Sequence, residues 1–298
     1  MHGVGITRSA FLEGRGLTEP GPIDVAAQVA CALAEDIGGG DVTAALIAAQ
    51  QQVRGRIVTR EDAVLCGTAW AEETFHQLDP AVRVTWHARD GDWVRAGMAL
   101  AELQGSARPV LSAERTALNF LQTLSGTATA ARRYVQAVAG TGCTILDTRK
   151  TLPGLRAAQK YAVRCGGADN HRIGLFDMFL IKENHITAAG SLAAAVRTAQ
   201  AHSPKLKVEV EVESLQEFEQ ALAAEPDIIM LDDFTDADMI TAVAHNRARA
   251  RPAKLEASGG VSLESVARIA STGVDYISVG ALTKHLHAID LSLRLDFA

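Results

Sequence analysis

Two kinds of segment alternate along the second half of the chain. Short apolar runs of strand length are followed by segments whose apolar residues share one helical face, such as Leu215, Phe218 and Leu222. Ser214 with Glu217 predicts a capping box at the start of that helix. The predicted strands are 143–147, 179–182, 208–212, 227–232, 255–258 and 276–279. Because strands separated by helices pair in parallel through right-handed crossovers, the pattern predicts an α/β barrel, either open or TIM-like with fewer than eight strands.

The first third of the chain follows a different pattern. A helix is predicted from about residue 23 to residue 36, ended by the glycines after Ile37, because glycine adopts the left-handed conformation that stops a helix. Strand-like segments follow at 55–59 and 83–88. The pattern changes near Pro109. We therefore expect a flexible leader at 1–20, an N-terminal α+β sandwich domain at 21–108 and the barrel at 109–283, with the C-terminal segment 284–298 packed on the N-terminal domain.

Cationic residues concentrate in a glycine-rich, partly apolar stretch between residues 147 and 185. It contains Arg149, Lys150, Arg172 and Lys182, although the whole chain carries a net charge of −6. The Arg guanidinium is a planar fork that holds a carboxylate or phosphate through two hydrogen bonds, whereas Lys supplies a compact charge. A solvated basic loop is the alternative interpretation. Because the apolar run 178–181 leads directly into Lys182, we favour an interior site for a ligand with several negative charges.

Polar residues follow the predicted strands at the end where such barrels carry their chemistry. In chain order they are Arg149, Lys150, Lys182, Glu211, Asp232 and Ser258. In 208–212 the valines alternate with Glu209 and Glu211, so both acids face one side of the strand. An acid inside a barrel is costly unless it meets a cation, a metal or a proton. Glu211 and Asp232 together suit Mg²⁺, which prefers oxygen ligands; the alternative is an ion pair between Glu211 and one of the cationic residues.

Two glycine-containing loops follow the last two predicted strands. They are Ser258-Gly259-Gly260-Val261 and Ser278-Val279-Gly280-Ala281. After late barrel strands, the backbone N–H groups of such loops bind a monophosphate, helped by a helix N-terminus. Each loop taken singly is also an ordinary strand-to-helix turn, but the pair predicts a phosphate site.

Length and composition exclude several classes of protein. A chain of 298 residues can bury a large core. It has no apolar run long enough to span a bilayer, and its start does not resemble a signal peptide, so we expect a cytoplasmic protein with no membrane partner. Cys31, Cys66, Cys143 and Cys165 lack CxxC or metal-finger spacing and are expected to be reduced core residues. The negative charge and the few aromatic residues argue against nucleic acid as a partner.

A series of short motifs runs along nearly the whole chain. In the second half they are Asp147-Thr148-Arg149-Lys150-Thr151 with Pro153-Gly154-Leu155-Arg156, Asn170-His171-Arg172, Leu180-Ile181-Lys182 with Asn184-His185, Glu209-Val210-Glu211, Glu256-Ala257-Ser258-Gly259-Gly260, and Ser278 with Gly280-Ala281-Leu282-Thr283. Nearer the start they are Glu35-Asp36 with Gly38, Gly40-Asp41 and Thr43, and Glu114-Arg115-Thr116-Ala117-Leu118-Asn119 with Ser125-Gly126. Together these motifs resemble the quinolinate phosphoribosyltransferase family.

The resemblance implies a reaction of de novo NAD biosynthesis. Quinolinate and phosphoribosyl pyrophosphate would give nicotinate mononucleotide, pyrophosphate and carbon dioxide, with Mg²⁺ as cofactor. The resemblance places Arg149, Arg172 and Lys182 around the quinolinate carboxylates, with His171 and Lys150 nearby.

The resemblance also implies where the other ligands and a second subunit lie. It places Glu211 and Asp232 on the metal and the ribose hydroxyls, and the two glycine-containing loops on the 5′-phosphate. It further implies a homodimer, with a hexamer as the larger alternative, in which Arg115 reaches into the partner's site. Departures from the family pattern occur at Ala168, Asp233 and Lys284-His285, and they affect fine geometry rather than a proposed ligand.

Two other functions fit the same barrel. One is a related phosphoribosyltransferase, such as nicotinate phosphoribosyltransferase or the homologue associated with molybdate transport, whose substrate with a single carboxylate would need fewer cationic residues. The other is a non-catalytic regulator that binds an anion. The acids Glu211 and Asp232 argue against the regulator, because a binder would not need to recruit a metal beside a leaving pyrophosphate.

Overall fold

The N-terminal segment leads into one helix. The computed structural model describes residues 5–6 and 23–297, and β1 (Gly5–Ile6) pairs antiparallel with β2 (Ile23–Asp24). Helix α1 (Val25–Ile37) begins where the Asp24 side chain accepts a hydrogen bond from the Ala27 N–H at 2.9 Å. It ends at Gly38, whose φ of 53° confirms the predicted glycine stop. Apart from the backbone of residues 5–6, the leader predicted at 1–20 lies outside the described residues.

An antiparallel sheet forms the centre of the N-terminal part. Its order is β14 (Leu291–Phe297), β3 (Gln52–Thr59), β7 (Ala99–Ser106) and β5 (Arg83–Trp86). The other elements here are a 3-10 turn (Ala44–Leu46), β4 (Ala63–Val64), which pairs with β6 (Trp93–Val94), and helix α2 (Thr68–Leu78). Phe75 of α2 packs with Ile57 and Leu103 of the sheet in one buried cluster. The last strand of the chain lies at the sheet edge, where Leu291 pairs with Thr59.

A long helix connects the two halves of the molecule. Helix α3 (Ala107–Ala137) has 31 residues, and it packs first against the antiparallel sheet through Val110 and later against the barrel through Tyr134. Pro109 lies in its first turn, where a proline is tolerated because the N–H it lacks would have no partner within the helix. The change of pattern near Pro109 therefore occurs inside a continuous helix rather than in a linker. None of the described helices is both long and apolar enough to cross a bilayer.

Six parallel strands form the barrel-like half, in the order β8, β13, β12, β11, β10, β9. The strands are β8 (Thr144–Leu146), β9 (Phe179–Ile181), β10 (Val208–Val212), β11 (Ile228–Asp232), β12 (Lys254–Ser258) and β13 (Tyr276–Ser278). The helices that connect or follow them are α4 (Arg156–Cys165), α5 (Glu183–Ala189), α6 (Leu192–His202), α7 (Leu215–Ala224), α8 (Asp236–Arg247), α9 (Val266–Ala270) and α10 (Ala281–Lys284). Each of the six strands predicted for this half is confirmed to within a residue, and the open, TIM-like barrel is also confirmed. In the first third of the chain, β3 begins three residues before the predicted 55–59, and β5 ends two residues before the end of the predicted 83–88. The sheet stays open because β8 and β9, at its two edges, are not paired with each other among the described residues.

The apolar residues of β10 and α7 show how the sequence forms this half. Val208, Val210 and Val212 are buried on β10, and they join Phe218 and Leu222 of α7 in the largest core cluster. The Ser214 hydroxyl accepts a hydrogen bond from the Glu217 N–H at 3.2 Å, as the predicted cap requires. The Glu217 carboxylate, however, accepts from the Glu213 N–H at 2.8 Å instead of from Ser214, so the capping box is only half formed.

The four cysteines differ in exposure. All are free thiols; Cys66 and Cys165 are buried and Cys143 is half-buried. Burial raises the pKa of the Cys143 thiol to about 12, with Asp275 and Glu256 adding to the effect. Cys31 is exposed on α1, so the expectation that all four cysteines lie in the core is wrong for that residue.

Candidate active site

A pocket of about 270 Å³ opens at the C-terminal ends of the parallel strands. Its lining comprises Thr148, Arg149, Lys150, His171, Arg172, Leu180, Lys182, Glu211, Met230, Asp232, Glu256, Ser258 and Ser278. All of the charged residues predicted from the strand ends therefore come together there. The other predicted residues, which are outside the lining, are Arg115, Gly259, Gly260, Val279, Gly280 and Ala281. A larger groove of about 550 Å³ between α1, α3 and the loop at Pro153 is mostly apolar and carries no strand end.

Two arginines lie side by side in the pocket. Arg149 follows β8, and Arg172 follows a segment that joins the same strand through a bridge between Leu146 and Asp169. Burial lowers the pKa of Arg172, and the positive charge of Arg149 lowers it further. The buried Nε of Arg149 has no hydrogen-bond partner among the described residues. Two adjacent guanidinium groups, one of them incompletely bonded, are suited to a ligand with more than one carboxylate.

A buried network holds the backbone beneath the two arginines. Lys160 of α4 and Asp147 are both fully buried and form an ion pair. Lys160 Nζ also donates to the His171 carbonyl at 3.0 Å, while the His171 N–H donates to Asp147 Oδ1 at 2.9 Å. Asn170 Nδ2 completes the network by donating to Asp147 Oδ2 at 2.7 Å. Burial raises the pKa of Asp147 and lowers that of Lys160, and the ion pair opposes both shifts.

His171 and Glu256 form the floor of the pocket, and Glu209, which is outside the lining, contacts His171. His171 Nε2 lies 2.9 Å from Glu209 Oε2 and 3.4 Å from Glu256 Oε2, and both glutamates are fully buried. Burial alone would lower the pKa of His171, but the charges of Glu256 and Glu209 outweigh it and raise the pKa to about 10. Burial raises the pKa of Glu209 to about 7, and the charge of Glu256 adds to the shift. The floor is therefore a histidine held between two carboxyl groups.

The protonation of His171 is subject to two opposing influences. The Arg172 N–H lies 2.7 Å from His171 Nδ1, which favours a neutral ring with its proton on Nε2. The two buried carboxyl groups favour a charged ring. A charged ring also carries a proton on Nδ1, so the contact with the Arg172 N–H is lost when His171 is protonated, whereas the two carboxyl groups in a low-dielectric interior stabilise the charged ring.

An ion pair joins the ends of two neighbouring strands. Lys182 follows β9, and its Nζ pairs with Glu211 Oε2 near the end of β10. The His185 ring accepts a hydrogen bond from the Lys182 N–H at 3.0 Å, which fixes the start of α5. The ion pair is one of the two roles predicted for Glu211, and the metal stays a prediction.

Three carboxylates provide a possible set of metal ligands in the pocket mouth. One oxygen each from Glu211, Glu213 and Asp232 lies within 4.8 Å of the other two. Carboxylate oxygens are the ligands that Mg²⁺ prefers, so this donor set fits the cation expected from the sequence. Sequence reasoning did not include the exposed Glu213, although it continues the alternation of Glu209 and Glu211 along the strand.

The two glycine-containing loops lie where the sequence places them. Gly259 and Gly260 have φ of 96° and 53°, and a side chain on Gly259 would collide with Asp233. Lys150 packs against Gly280, since a Cβ on that glycine would lie 3.0 Å from Lys150 Cδ. Thr283 Oγ1 in turn donates to the Lys150 carbonyl at 2.8 Å. Lys150 is therefore beside the second glycine-containing loop.

The departures from the family pattern fit their surroundings. Asp233 has φ of 53°, a conformation that Asn and Asp adopt more readily than other residues with a side chain. Ala168 is buried in the barrel core and has no positive φ, so its position does not require glycine. Lys284 and His285 are exposed at the end of α10.

Two further residues were missed from the sequence: Glu256, which lines the pocket, and Lys160, which is buried outside the lining. Glu256 of β12 contacts His171, and Lys160 forms its ion pair with Asp147. A signal was present for Glu256, because an acid within a short apolar strand must find a partner inside the barrel. Lys160 gave no such signal, since a lysine in a helix is usually on the surface.

Two family models match nearly the whole described chain. Residues 41–125 match "Quinolinate phosphoribosyl transferase, N-terminal domain", and residues 127–294 match "Quinolinate phosphoribosyl transferase, C-terminal domain".

Relatives and solved structures agree with these matches. The nicotinate-nucleotide pyrophosphorylase (carboxylating) of Mycobacterium leprae is 46% identical over 270 residues, which cover 89% of this chain and 94% of the relative. A probable nicotinate-nucleotide pyrophosphorylase (carboxylating) of Bacillus subtilis is 43% identical over 267 residues, which cover 89% of this chain and 91% of the relative. The solved nicotinate-nucleotide pyrophosphorylase from Francisella tularensis is 49% identical and has a TM-score of 0.88, covering 91% of this chain and 96% of that one.

Proposed function

Because the chain belongs to the quinolinate phosphoribosyltransferase family, we propose that the pocket at the strand ends is the active site of the family's reaction. The enzyme transfers the phosphoribosyl group of phosphoribosyl pyrophosphate to quinolinate with decarboxylation. The products are nicotinate mononucleotide, pyrophosphate and carbon dioxide, in the biosynthesis of NAD. One observation carries the assignment of the site: two guanidinium groups and two ammonium groups from three separate segments converge on one pocket of a chain with a net charge of −6.

Quinolinate is assigned to the side of the pocket that carries Arg149 and Arg172. Its two carboxylates sit on neighbouring ring atoms and match two adjacent guanidinium forks. Lys182 lies on the next strand end and supplies a third positive charge. His171 lies on the floor below, where the carboxyl groups of Glu209 and Glu256 offset any charge on its ring.

The phosphoribosyl donor is assigned to the opposite side of the pocket. The loops Ser258-Gly259-Gly260 and Ser278-Val279-Gly280-Ala281 would offer backbone N–H groups to the 5′-phosphate. The Val279 N–H is the exception, because it donates to the Leu146 carbonyl at 2.9 Å. Lys150, which packs against Gly280, supplies positive charge beside them. Ser258 and Ser278 contribute hydroxyl groups to the pocket lining between the two sides.

Glu211 and Asp232 would hold the Mg²⁺ that we propose as cofactor, with part of its coordination supplied by water and the donor substrate. Bound there, Mg²⁺ supplies positive charge that stabilises the leaving pyrophosphate. Lys182 then has a carboxylate of quinolinate as its partner in place of Glu211. The same two acids lie where they can accept hydrogen bonds from the ribose hydroxyls.

The chemistry follows from the flow of charge. Departure of pyrophosphate leaves a positive ribosyl centre, which the carboxylates of Glu211 and Asp232 offset. The quinolinate nitrogen attacks with its lone pair, so this step needs no general base. When the 2-carboxylate leaves as carbon dioxide, the electron pair of the broken bond stays on ring carbon 2, where the adjacent positive nitrogen stabilises it. A proton from water then adds at ring carbon 2. Strong pairing would hold the leaving carboxylate back, so the tightest arginine contact belongs to the carboxylate that is retained.

The assembly that we propose is a homodimer with shared sites. Arg115 is exposed on α3 and is not among the residues that line the pocket of its own subunit. A partner that presents Arg115 to this pocket would complete the positive charge around quinolinate. The larger alternative is a hexamer made of three such dimers. We also propose a cytoplasmic location, which suits a reaction whose substrates and product are charged molecules that do not cross membranes unaided. Cell fractionation tests the location.

An assay of nicotinate mononucleotide formation tests the function. The purified chain is incubated with phosphoribosyl pyrophosphate and Mg²⁺ and offered quinolinate or nicotinate at equal concentration. We expect product from quinolinate, with release of one carbon dioxide per nucleotide. Preferential use of nicotinate would indicate the related phosphoribosyltransferase, and binding of quinolinate without turnover would indicate a regulator.

A further inference from the structure

A buried ion pair lies directly beneath the two pocket arginines. Lys160 and Asp147 are each 0% exposed, and neither lines the pocket. Asp147 precedes Arg149 by two residues in the loop that follows β8. Lys160 Nζ and Asp147 Oδ1 also bind the carbonyl and the N–H of His171, at 3.0 and 2.9 Å. One ion pair therefore holds the backbone just before both Arg149 and Arg172.

The arginine side chains themselves are weakly fixed. Burial lowers the pKa of Arg172, and the like charge of Arg149, which repels its guanidinium, lowers the pKa further. Arg172 Nη1 has one long hydrogen bond, 3.4 Å, to the Met178 carbonyl, and Arg149 Nε has no partner among the described residues. Their spacing in the free protein must therefore come from the backbone segments that carry them.

The energetics of the network suggest a role in geometry rather than in stability. A buried ion pair loses most of its attraction to desolvation, and well-packed apolar residues of the same volume often give an equally stable protein. In contrast, hydrogen bonds to both the N–H and the carbonyl of His171 fix the backbone of that residue. They therefore restrict the position of the next residue, Arg172.

We infer that Lys160 is a positioning residue: through Asp147 and the His171 carbonyl it sets the spacing of Arg149 and Arg172 for a dicarboxylate. The inference rests on the proposed use of both arginines as ligands of quinolinate. A site assembled before the substrate binds avoids the cost of ordering it afterwards. The network thus affects the affinity for quinolinate much more than the affinity for phosphoribosyl pyrophosphate.

Replacement of Lys160 by methionine tests the inference. Lys160→Met keeps much of the side-chain volume and removes both contacts of the ammonium group. We expect the dissociation constant of quinolinate, measured by calorimetry, to rise roughly 10- to 100-fold, on the scale of a misplacement of about 1 Å. The KM for quinolinate should rise with it, whereas the KM for phosphoribosyl pyrophosphate should change less than about threefold, because the other side of the pocket keeps its ligands.

Asn170→Ala provides a second variant that keeps the charges of the ion pair. Asn170 Nδ2 donates to Asp147 Oδ2 at 2.7 Å and to the Lys160 carbonyl at 2.9 Å, so its loss loosens the network. We expect the same selective rise for quinolinate, smaller in size. If Lys160→Met does not fold, Asn170→Ala decides the question.

Asn246→Ala serves as the matched control for lost stability. Asn246 is buried and bonded to the Ala253 carbonyl and N–H at 2.8 and 3.0 Å, away from the pocket. It should lower the melting temperature without a selective effect on quinolinate. The inference is overturned if folded Lys160→Met or Asn170→Ala binds quinolinate like the wild type, or if both substrates lose affinity equally. Normal quinolinate binding in Arg172→Ala would overturn the proposed site instead.

Discussion

Lys182 Nζ forms an ion pair with Glu211 Oε2, and the pair joins the end of β9 to the end of β10. Lys182 is 47% exposed and Glu211 is 13% exposed, so the pair lies at the pocket surface and is partly screened by solvent. In the reaction that we propose, each partner changes its role: Lys182 turns to a carboxylate of quinolinate, and Glu211 turns to the metal and the ribose. The pair therefore keeps both charges in place before the substrates arrive.

Replacement of Glu211 and Asp232 by their amides separates these roles. Glu211→Gln with Asp232→Asn should lower Mg²⁺-dependent turnover by roughly two orders of magnitude, on the scale of losing a preorganised charged group. Binding of quinolinate, measured by titration calorimetry in the absence of the donor, should persist, because Lys182 loses only a competing partner. A collapse of quinolinate binding would place these acids in the substrate pocket or in structural ion pairs.

Loss of a single pocket cation should affect catalysis strongly. We expect Lys182→Ala and Arg172→Ala each to reduce kcat/KM by roughly two orders of magnitude or more, because each removes a fixed donor that faces a dianion. Steady-state kinetics with quinolinate as the varied substrate provide the measurement, and circular dichroism checks the fold. Kinetics like those of the wild type in either folded variant would refute the assignment of that residue.

The charged ring of His171 should make stability depend on pH. Its pKa in the folded protein is raised from 6.5 to about 10 by Glu256 and Glu209, after the opposing effect of burial. The folded state thus binds the proton more tightly, so the stabilisation is fully present below pH 6.5 and is lost as the pH rises through 10. Urea unfolding at pH 6 and pH 10 should show a smaller advantage of the wild type over His171→Gln at the higher pH. An advantage independent of pH would mean that the ring is neutral.

The first glycine-containing loop offers a matched pair of substitutions. Gly259→Ala adds a methyl group that collides with Asp233 and must adopt a φ of 96°, whereas Gly260→Ala meets open space at a φ of 53°. A left-handed conformation by itself costs about 1–2 kcal/mol for an ordinary residue. Gly259→Ala should therefore raise the KM for phosphoribosyl pyrophosphate more than Gly260→Ala does. Equal effects would mean that loop shape does not contribute to donor binding.

The sequence predicted the residues whose positions follow from local periodicity. The six strands came from apolar runs bounded by glycine or polar residues, and parallel strands bring their C-terminal ends to one edge of a sheet. Lys182, Glu211 and Asp232 were therefore expected to meet, and the structure brings them together. The alternation of valines and glutamates in β10 likewise predicted that Glu209 faces the inside of the barrel.

Local periodicity does not show which side chains from distant segments contact each other. Lys160 lies in helix α4, and only its ion pair with Asp147, which follows β8, shows that the lysine is buried. Nor does the pattern show that Glu256 shares His171 with Glu209 across the barrel. The change of pattern near Pro109 predicted a domain boundary. A proline is compatible with the first turn of a helix, however, and α3 continues through Pro109.

The position of Arg115 leads to a prediction about mixed dimers. Arg115 is exposed on α3 outside its own pocket, whereas Arg149 lines that pocket, so a dimer that exchanges Arg115 has two composite sites. Arg115→Ala and Arg149→Ala homodimers should each be inactive. After joint unfolding and random reassembly, about half of the dimers are mixed, and each mixed dimer has one site that lacks both arginines and one site that lacks neither.

Activity in the mixture should therefore return to roughly a quarter of the wild-type value, by the counting that twofold symmetry imposes. Native mass spectrometry establishes that mixed dimers are present, and an equal mixture of the two variants that was never unfolded serves as the control. The recovered sites should have the wild-type KM for quinolinate, because they contain every wild-type residue. If mixed dimers form and activity does not return, Arg115 serves the site of its own subunit or no site, and the shared arrangement is wrong.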